Sequence, residues 1–491
     1  MLKYIYRNLQ NLKNTAFIIN DTPYTYEETY RLVNNYLSFL QTLSDIDSIG
    51  IVMHNDIETY AMIIASVLSD TGYVILNPEN PLERNAIVVY DAKLSCIAGS
   101  TETDSEIIPS DVEFHFLSNI EDIMDIVPFQ EPDDKKTAYI LFTSGSTGVP
   151  KGVRITKKNL RAFLQSFFEI PIEIKQEDHL LQMFDLTFDV SVAMLLLPLI
   201  RGATIYTVNS SNIKYLDIAR VLTSYPISVA CLVPSVVSLL RPFLPEINLP
   251  KVRTCILTAE ATSNSLLNDL RPSIPNADIW NLYGPTEATV WCLAYLTNPH
   301  TEMELYHDLI SVGHPMPGIT ALIKTDDGIT DAMNEKGELL IGGEQVAWGY
   351  VNDEKKNQTV FQMIHHGSQD LRCYYTGDIA FFNEHGNIMY CGRKDHQVKI
   401  QGYRIELHEI EYHAKKFTNC NAIAVAKEIK GNTQLFLCVE NFTGADEDLI
   451  SYLQNKLPVY MIPKQVIHYK QFPVNSSSKI DRKKLEHAIE S

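Results

Sequence analysis

Ten residues, TSGSTGVPKG from Thr143 to Gly152, concentrate the groups that hold an anion. Thr143, Ser144, Ser146 and Thr147 bring hydroxyl donors, and Lys151 brings a cation. Gly145, Gly148 and Gly152 permit tight turns with backbone N–H groups laid open. Phosphate calls for that combination of several protons and a positive charge. The stretch is not a Walker loop. Read from Gly145, G-x-x-x-x-G-K-[ST] requires glycine at 150 and Ser or Thr at 152, where Pro150 and Gly152 stand. A Gly/Ser-rich surface turn has the same composition, and a phosphate grip by itself does not define a reaction.

Further along, Tyr283 offers a face on which a purine could stack, and Asn281 offers an amide for its edge. Glu287 follows closely, a carboxylate of the kind that joins phosphate oxygens around Mg²⁺. Asp378, after Gly377, could accept both hydroxyls of a ribose. Each has a plainer alternative, a Tyr-Gly-Pro turn for the first pair and an Asx turn for Asp378. Asp189 stands in an otherwise apolar FDVSV, where a buried carboxylate needs a cationic partner unless it caps a helix. Lys479, near the C-terminus, has the composition of a solvated surface charge.

These residues need elements to hold them. AYILF, 138–142, reads as a buried strand leading into the loop. After it, Leu160, Phe163, Leu164, Phe167 and Phe168 recur at helical spacing behind Thr156, a candidate N-cap. The apolar runs IGIVMHN, GYVILNP, GATIYTV and TCILTAE alternate with helix-like stretches such as Tyr26 to Leu40, which predicts α/β layers. Acid-rich residues 101–135, broken by prolines, read as a surface excursion. The character changes near residue 395, where a small second domain is expected. A chain of 491 residues has room for two or three domains.

Forty-one Lys and Arg against 60 Asp and Glu leave a net charge of −19, which argues against a nucleic-acid surface and leaves any anionic substrate to a local positive pocket. The eight cysteines form no C-x-x-C pair, so a zinc knuckle or redox motif is not expected, and a reducing compartment is. The start has no signal-peptide core and no apolar run reaches membrane-spanning length, so a cytoplasmic place is expected.

Six stretches occur in order: TSGSTGVPKG; NLYGPTEATVW, Asn281 to Trp291; GELLIGGEQVAWGY, Gly337 to Tyr350; YYTGDIA, Tyr374 to Ala380; GRKDHQVKIQGYRIELHEIE, Gly392 to Glu411; and NSSSKIDRKKL, Asn475 to Leu485. The set resembles the adenylate-forming enzyme superfamily of acyl-CoA synthetases, luciferases and nonribosomal peptide adenylation domains. The likeness, from about Tyr24 to the C-terminus, is strongest to amino-acid adenylation domains, including free-standing ones such as D-alanine–carrier protein ligases and prolyl-carrier ligases.

The resemblance implies an α/β fold with a large N-terminal domain of layered sheets and helices, 1–394, and a small mobile α+β C-terminal domain, 395–491, turning at a hinge on Asp395. It implies ATP and Mg²⁺ as cofactors. Thr143 to Gly148, Asn281 to Thr286 (with Leu282, Tyr283, Gly284 and Pro285), Asp378 and Arg393 would bind ATP, and Glu287 the metal. Lys479 and Lys151 would be the catalytic cations, with Lys479 bridging substrate carboxylate and α-phosphate; a preorganised cation suits two anions brought together. The segment around Gly402 would enter the site in a second half-reaction and line a tunnel for a thiol. Three positions depart from the pattern: Ser478 replaces the usual Gly before the lysine, Trp348 a common Arg, and Thr258-Ala259-Glu260 the usual Gly-Gly-Glu or Ala-Gly-Glu.

By the same resemblance Asp189 would bind a substrate α-ammonium, which fatty and aryl acids lack. The rest of the pocket would be Val190, Ala193, Cys231, Leu257, Ala259, Leu282, Val290 and Trp291, all uncharged, with Trp291 as a bulky floor. A small neutral amino acid is therefore expected; alanine, glycine, proline, cysteine and serine stay open. The chain ends twelve residues beyond Lys479 with no Gly-Gly-x-Ser attachment site, so the expected acceptor is the phosphopantetheine thiol of a separate carrier protein. Lys394, Lys399, Arg404 and Lys415 could form its docking patch or simply a solvated face. The alternatives are an acyl-CoA synthetase with the same first step and a nucleotide-binding protein without catalysis.

Overall fold

The apolar runs form two large sheets in the computed structural model, which describes residues 1–43, 46–145, 149–209, 214–298, 302–395, 397–429, 432–473 and 480–489; every count below is made over these. The first sheet has seven strands in the order Gly349–Tyr350, Lys151–Thr156, Thr137–Thr143, Gly72–Leu76, Ser48–Val52, Cys96–Gly99 and Glu113–Phe116. Its central pairings are parallel. Ser48–Val52, Gly72–Leu76 and Cys96–Gly99 are buried along their whole length. Strands covered on both faces read as unbroken apolar runs, which is why IGIVMHN and GYVILNP stand out in the sequence.

The second sheet has nine strands. Its centre runs Asp278–Tyr283, Thr254–Thr258, Val229–Leu232, His179–Gln182, Thr204–Thr207 and Thr15–Ile19, all joined in parallel. Helix Ile57–Leu68, buried on every side, lies between the two sheets; its Tyr60 ring stacks on Phe17 of the second sheet at 5.3 Å. One continuous core joins both sheets. A six-stranded antiparallel sheet, which includes Gly337–Gly343 and Gln369–Phe382, follows in the chain.

Helix Lys157–Glu169 begins at Thr156, whose hydroxyl accepts from the Asn159 N–H in a capping box. It buries Leu160, Phe163, Leu164 and Phe167. Each such side chain contributes about 1.5–3 kcal/mol on leaving water. Residues 101–135 are more ordered than an excursion: Glu113–Phe116 adds a parallel edge strand beside Cys96–Gly99, and buried Asp104 bonds His54 Nε2 at 2.8 Å.

Beyond Asp395, Gln397–Ile400 and Tyr403–Glu406 pair as a two-stranded hairpin. Helices Leu407–Thr418 and Asp446–Gln454 cover one face of a three-stranded sheet, Ala422–Ile429, Asn432–Glu440 and Gln465–Tyr469, through a core of Leu407, Ile410, Leu437, Leu449, Leu453 and Met461. A second cluster, with Ile423, Phe436 and Leu485, brings in helix Arg482–Ala488. The fold is thus α/β layers followed by a small α+β unit. Among the described residues no helix is long and apolar enough to cross a membrane.

Candidate active site

Parallel strands of both sheets end at one cavity of about 380 Å³. Thr143 and Ser144 follow one strand; Met183 to Asp185, Val233, Thr258 to Ala259 and Gly284 to Thr286 follow four others. The carboxyl ends of parallel strands are where open α/β sheets leave a crevice for ligands. The C-terminal hairpin closes the cavity with Lys399, Gln401, Gly402, Tyr403 and Arg404.

In the loop that begins at Thr143, Ser144 is buried and its hydroxyl donates to the Arg404 carbonyl at 2.7 Å and accepts from the Glu406 N–H at 3.1 Å. The Gly145 N–H donates to Glu409 Oε2 at 3.1 Å. A Cβ on Gly145 would stand 1.8 Å from the Val149 carbonyl oxygen, so only glycine fits there. Ser146, Thr147 and Gly148 lie outside the described residues, as do Ser478 and Lys479. Lys151, on the strand after the loop, has its Nζ 5.9 Å from the Tyr350 ring centroid. Burial, with Lys356 nearby, pushes its ammonium below the usual lysine range.

Tyr283 is buried and donates its hydroxyl to Asp378 Oδ2. Asp378 also takes Arg393 Nη1 at 3.0 Å, and Arg393 forks onto Asp395 with Nε and Nη2 at 2.8 and 2.7 Å. Burial alone would raise the Asp395 carboxyl, but the Arg393 fork holds it below the carboxylate range. Asn281 lies behind the cavity with its amide engaged: Nδ2 donates to the Ser311 carbonyl at 2.8 Å and Oδ1 accepts from Thr262 at 3.1 Å. Gly284, Pro285 and Thr286 line the cavity.

Asp189 opens helix Asp189–Arg201, with Phe188 at the N-cap position, so it is not itself the cap. It faces the cavity, and its Oδ2 has no hydrogen-bond partner among the described residues. Burial pushes its carboxyl up to about 6; the Thr286 hydroxyl works against the rise, Glu287 adds to it, and Lys399 opposes it. Of the other pocket positions, Val190, Ala259 and Val290 line the cavity. Ala193, Cys231, Leu257, Leu282 and Trp291 are fully buried and stand behind it. Trp291 packs on Phe163 and Phe167, and its indole N–H donates to Thr258 Oγ1 at 2.8 Å. It braces Thr258, which does face the cavity, rather than forming the floor itself.

Glu287 is fully buried. Tyr350 donates to its Oε1 at 2.6 Å, and Arg404 Nη1 reaches both oxygens at 3.0 and 2.8 Å. Burial would raise this carboxyl, but Arg404 keeps it ionised and below the usual range. No group of three or more His, Cys, Asp or Glu among the described residues could hold a metal. A single carboxylate suits Mg²⁺ when phosphate oxygens and water complete its shell. Glu287 meets that description only with Arg404 elsewhere; in the present arrangement Arg404 Nη1 bonds both of its oxygens.

The hairpin tip is fixed from below. The Gly402 N–H donates to Glu260 Oε1 at 2.8 Å, and Glu260 also accepts from the Ser235 N–H and hydroxyl at 2.8 and 3.0 Å. Gly402 has φ +81°, and a Cβ would meet Val233 at 3.3 Å. Tyr403 stacks on Tyr460 at 4.0 Å and meets Phe188 edge-on. Tyr460, Met183 and Val236 line the cavity without having been singled out from sequence. Met183 lies just upstream of the quoted FDVSV and could have been found by proximity; Tyr460 comes from a distant 3-10 turn and carries no local signal.

The sequence matches the family described as AMP-binding enzyme over residues 7–351. It is 28% identical to the D-alanine–D-alanyl carrier protein ligase of Bacillus licheniformis, across 96% of each chain. It is 31% identical to the dimodular nonribosomal peptide synthase of Bacillus subtilis across 87% of this chain, but spans only 18% of that protein. Its fold superposes on the Vibrio cholerae adenylation domain AlmE, solved in complex with glycyl-adenosine-5'-phosphate, with a TM-score of 0.87 at 24% identity, over 99% of this chain and 96% of that one. With its ordered motifs and its matching over more than two thirds of the length, the chain belongs to the AMP-binding enzyme family of adenylate-forming ligases.

Proposed function

We propose that the chain activates a small neutral amino acid with ATP and then loads it onto the phosphopantetheine thiol of a separate carrier protein. In the first step the amino-acid carboxylate attacks the α-phosphorus, aminoacyl-AMP forms and pyrophosphate leaves. In the second the thiol attacks the mixed anhydride, a thioester forms and AMP leaves. Asp189 carries this reading: a buried carboxylate, facing the cavity with one oxygen unpartnered, is complementary to an ammonium group. An acyl-CoA synthetase shares the first step, but an acid without an amino group would leave that charge unanswered.

The apolar lining by Met183, Val190, Val233, Val236 and Val290 favours an uncharged side chain. Asp378, beside Tyr283 and Arg393, would take the ribose hydroxyls, and the loop from Thr143 the phosphates. Lys479 and Lys151 would meet the charge that builds up during adenylation. Mg²⁺, held by Glu287 and phosphate oxygens, would neutralise the leaving pyrophosphate. Residues 1–394 would act as one domain and 395–491 as the other, turning about Asp395. The eight cysteines are all free thiols, which suits a cytoplasmic place.

Amino-acid-dependent ATP–pyrophosphate exchange tests the reading without a carrier. Exchange with one small neutral amino acid, D-alanine included in the panel, is the expected result. Exchange only with acids lacking an amino group would overturn it.

A further inference from the structure

The wall that Val290 gives the cavity is built on backbone that valine avoids. Thr289 has φ +56° and ψ +81°, and Val290 has φ +67°. Two β-branched residues in succession thus stand in the left-handed region, where Cβ crowds the backbone and a turn ordinarily takes Gly or Asn. Such a conformation persists only where its surroundings over-determine it. Gly284 closes one side of the turn: a Cβ there would lie 2.2 Å from the Val290 carbonyl oxygen. One side chain holds the other side. Gln345 is buried, and its Nε2 donates to the Trp291 carbonyl at 2.9 Å and to the Ala288 and Thr289 carbonyls at 3.3 and 3.4 Å. The Thr289 hydroxyl returns a bond to the Gln345 carbonyl at 2.6 Å. Gln345 is fixed from behind in turn. Asn159 Nδ2 donates to the carbonyls on either side of it, Glu344 at 2.7 Å and Val346 at 2.9 Å, while Asn159 Oδ1 accepts from the Thr156 N–H. The start of helix Lys157–Glu169 therefore anchors the amide that shapes the turn.

We propose that Gln345 is a positioning residue for substrate selection: it holds Val290 against the cavity and so sets the length of amino-acid side chain that the site admits. The inference rests on the adenylation reading and adds to it a residue that does not itself line the cavity. Its action passes through the peptide units from Ala288 to Trp291, whose carbonyls converge on one amide. The Gln345 Oε1 has no hydrogen-bond partner among the described residues, so the side chain serves through its N–H donors alone. Without them the turn relaxes toward right-handed backbone and withdraws the Val290 side chain from the wall. An apolar pocket discriminates by about 10 to 200-fold per methylene, and it does so only while its walls stay in place.

ATP–pyrophosphate exchange of the full chain, with the preferred amino acid and with its homologue one methylene longer, reads the wall directly. The ratio of the two kcat/KM values does not depend on how much of a preparation is folded, so a merely structural loss leaves it unmoved. Gln345→Met keeps the side-chain length and removes the donors. It is expected to lower the ratio about ten-fold or more, with the KM for ATP within about three-fold. Thr289→Val removes only the Oγ1 bond and is expected to lower the ratio about three-fold, which keeps the test open if thermal melting shows Gln345→Met unfolded. In a Val290→Gly background the turn is unstrained and the wall is gone, so adding Gln345→Met is expected to leave the ratio unchanged. An unaltered ratio in the folded variants, or an equal effect of Gln345→Met with and without Val290, would overturn the inference while exchange by the unaltered protein upholds the adenylation reading. No exchange by the unaltered protein with any amino acid removes both.

Discussion

Replacing Asp189 with Ala removes the only charge that the cavity presents to a substrate ammonium from the helix Asp189–Arg201. The carboxylate is buried, so an ammonium docked on it is desolvated as well. Removing one partner of such a pair leaves the other buried and unanswered, a loss of about 3–5 kcal/mol. At about 1.4 kcal/mol per decade this is roughly 140-fold to 3,700-fold in kcat/KM for the amino acid. The assay is amino-acid titration in ATP–pyrophosphate exchange, with the KM for ATP as the internal control, expected to change less than about three-fold. A change in the amino-acid KM below about three-fold would refute the reasoning, because a peripheral charge is worth no more than that. The pH profile adds a second reading. With the carboxyl titrating near 6, kcat/KM falls as the pH drops through that value, and Asp189→Asn flattens the fall. In the ligand-free protein the sign for stability is the reverse. The folded pKa lies above the ordinary 3.8, so this group favours the fold most below that value, and its contribution is lost as pH rises through about 6.

Lys479→Ala is expected to abolish exchange while nucleotide binding, followed by fluorescence of a labelled ATP, persists; undiminished exchange would sink the assigned role. Glu260→Ala frees the Gly402 N–H and the hairpin tip, so it should slow transfer to a carrier thiol at least ten-fold while leaving pyrophosphate exchange within about three-fold; equal losses in both steps would count against it. Lys157→Met removes the Nζ that meets the Ser66 and Val67 carbonyls at 2.7 and 3.1 Å; Ser66 keeps the Ser69 N–H and hydroxyl as donors, and Val67 loses its side-chain donor. One buried acceptor left unpaired should lower unfolding free energy by about 1–3 kcal/mol in urea, and an unaltered midpoint would contradict that.

Sequence was most informative where one residue type has few structural uses. The continuous apolar run AYILF reads as a covered strand, and Thr156 before a 3.6-period stripe reads as a candidate cap, and the structure has both. Asp189 was legible because a carboxylate among valines and leucines needs an explanation. What stayed hidden depends on contacts between remote segments. Arg84 and Glu409 are 325 positions apart, and neither carries a local pattern that pairs them. Tyr460 lines the cavity stacked on the ring of Tyr403, a residue 57 positions upstream. Trp291 was expected as a floor from its bulk; its indole N–H needs an acceptor, finds Thr258, and so sits one layer back.

Arg393 joins Asp378, at the expected ribose position, to Asp395, at the expected pivot. One guanidinium therefore belongs to two devices at once. Any swing of the backbone at Asp395 changes what Arg393 can offer to Asp378, and any ligand that recruits Asp378 loosens the grip on Asp395. On the proposed roles, the nucleotide site and the joint would be wired in series through Arg393, so a substitution that tunes one would detune the other.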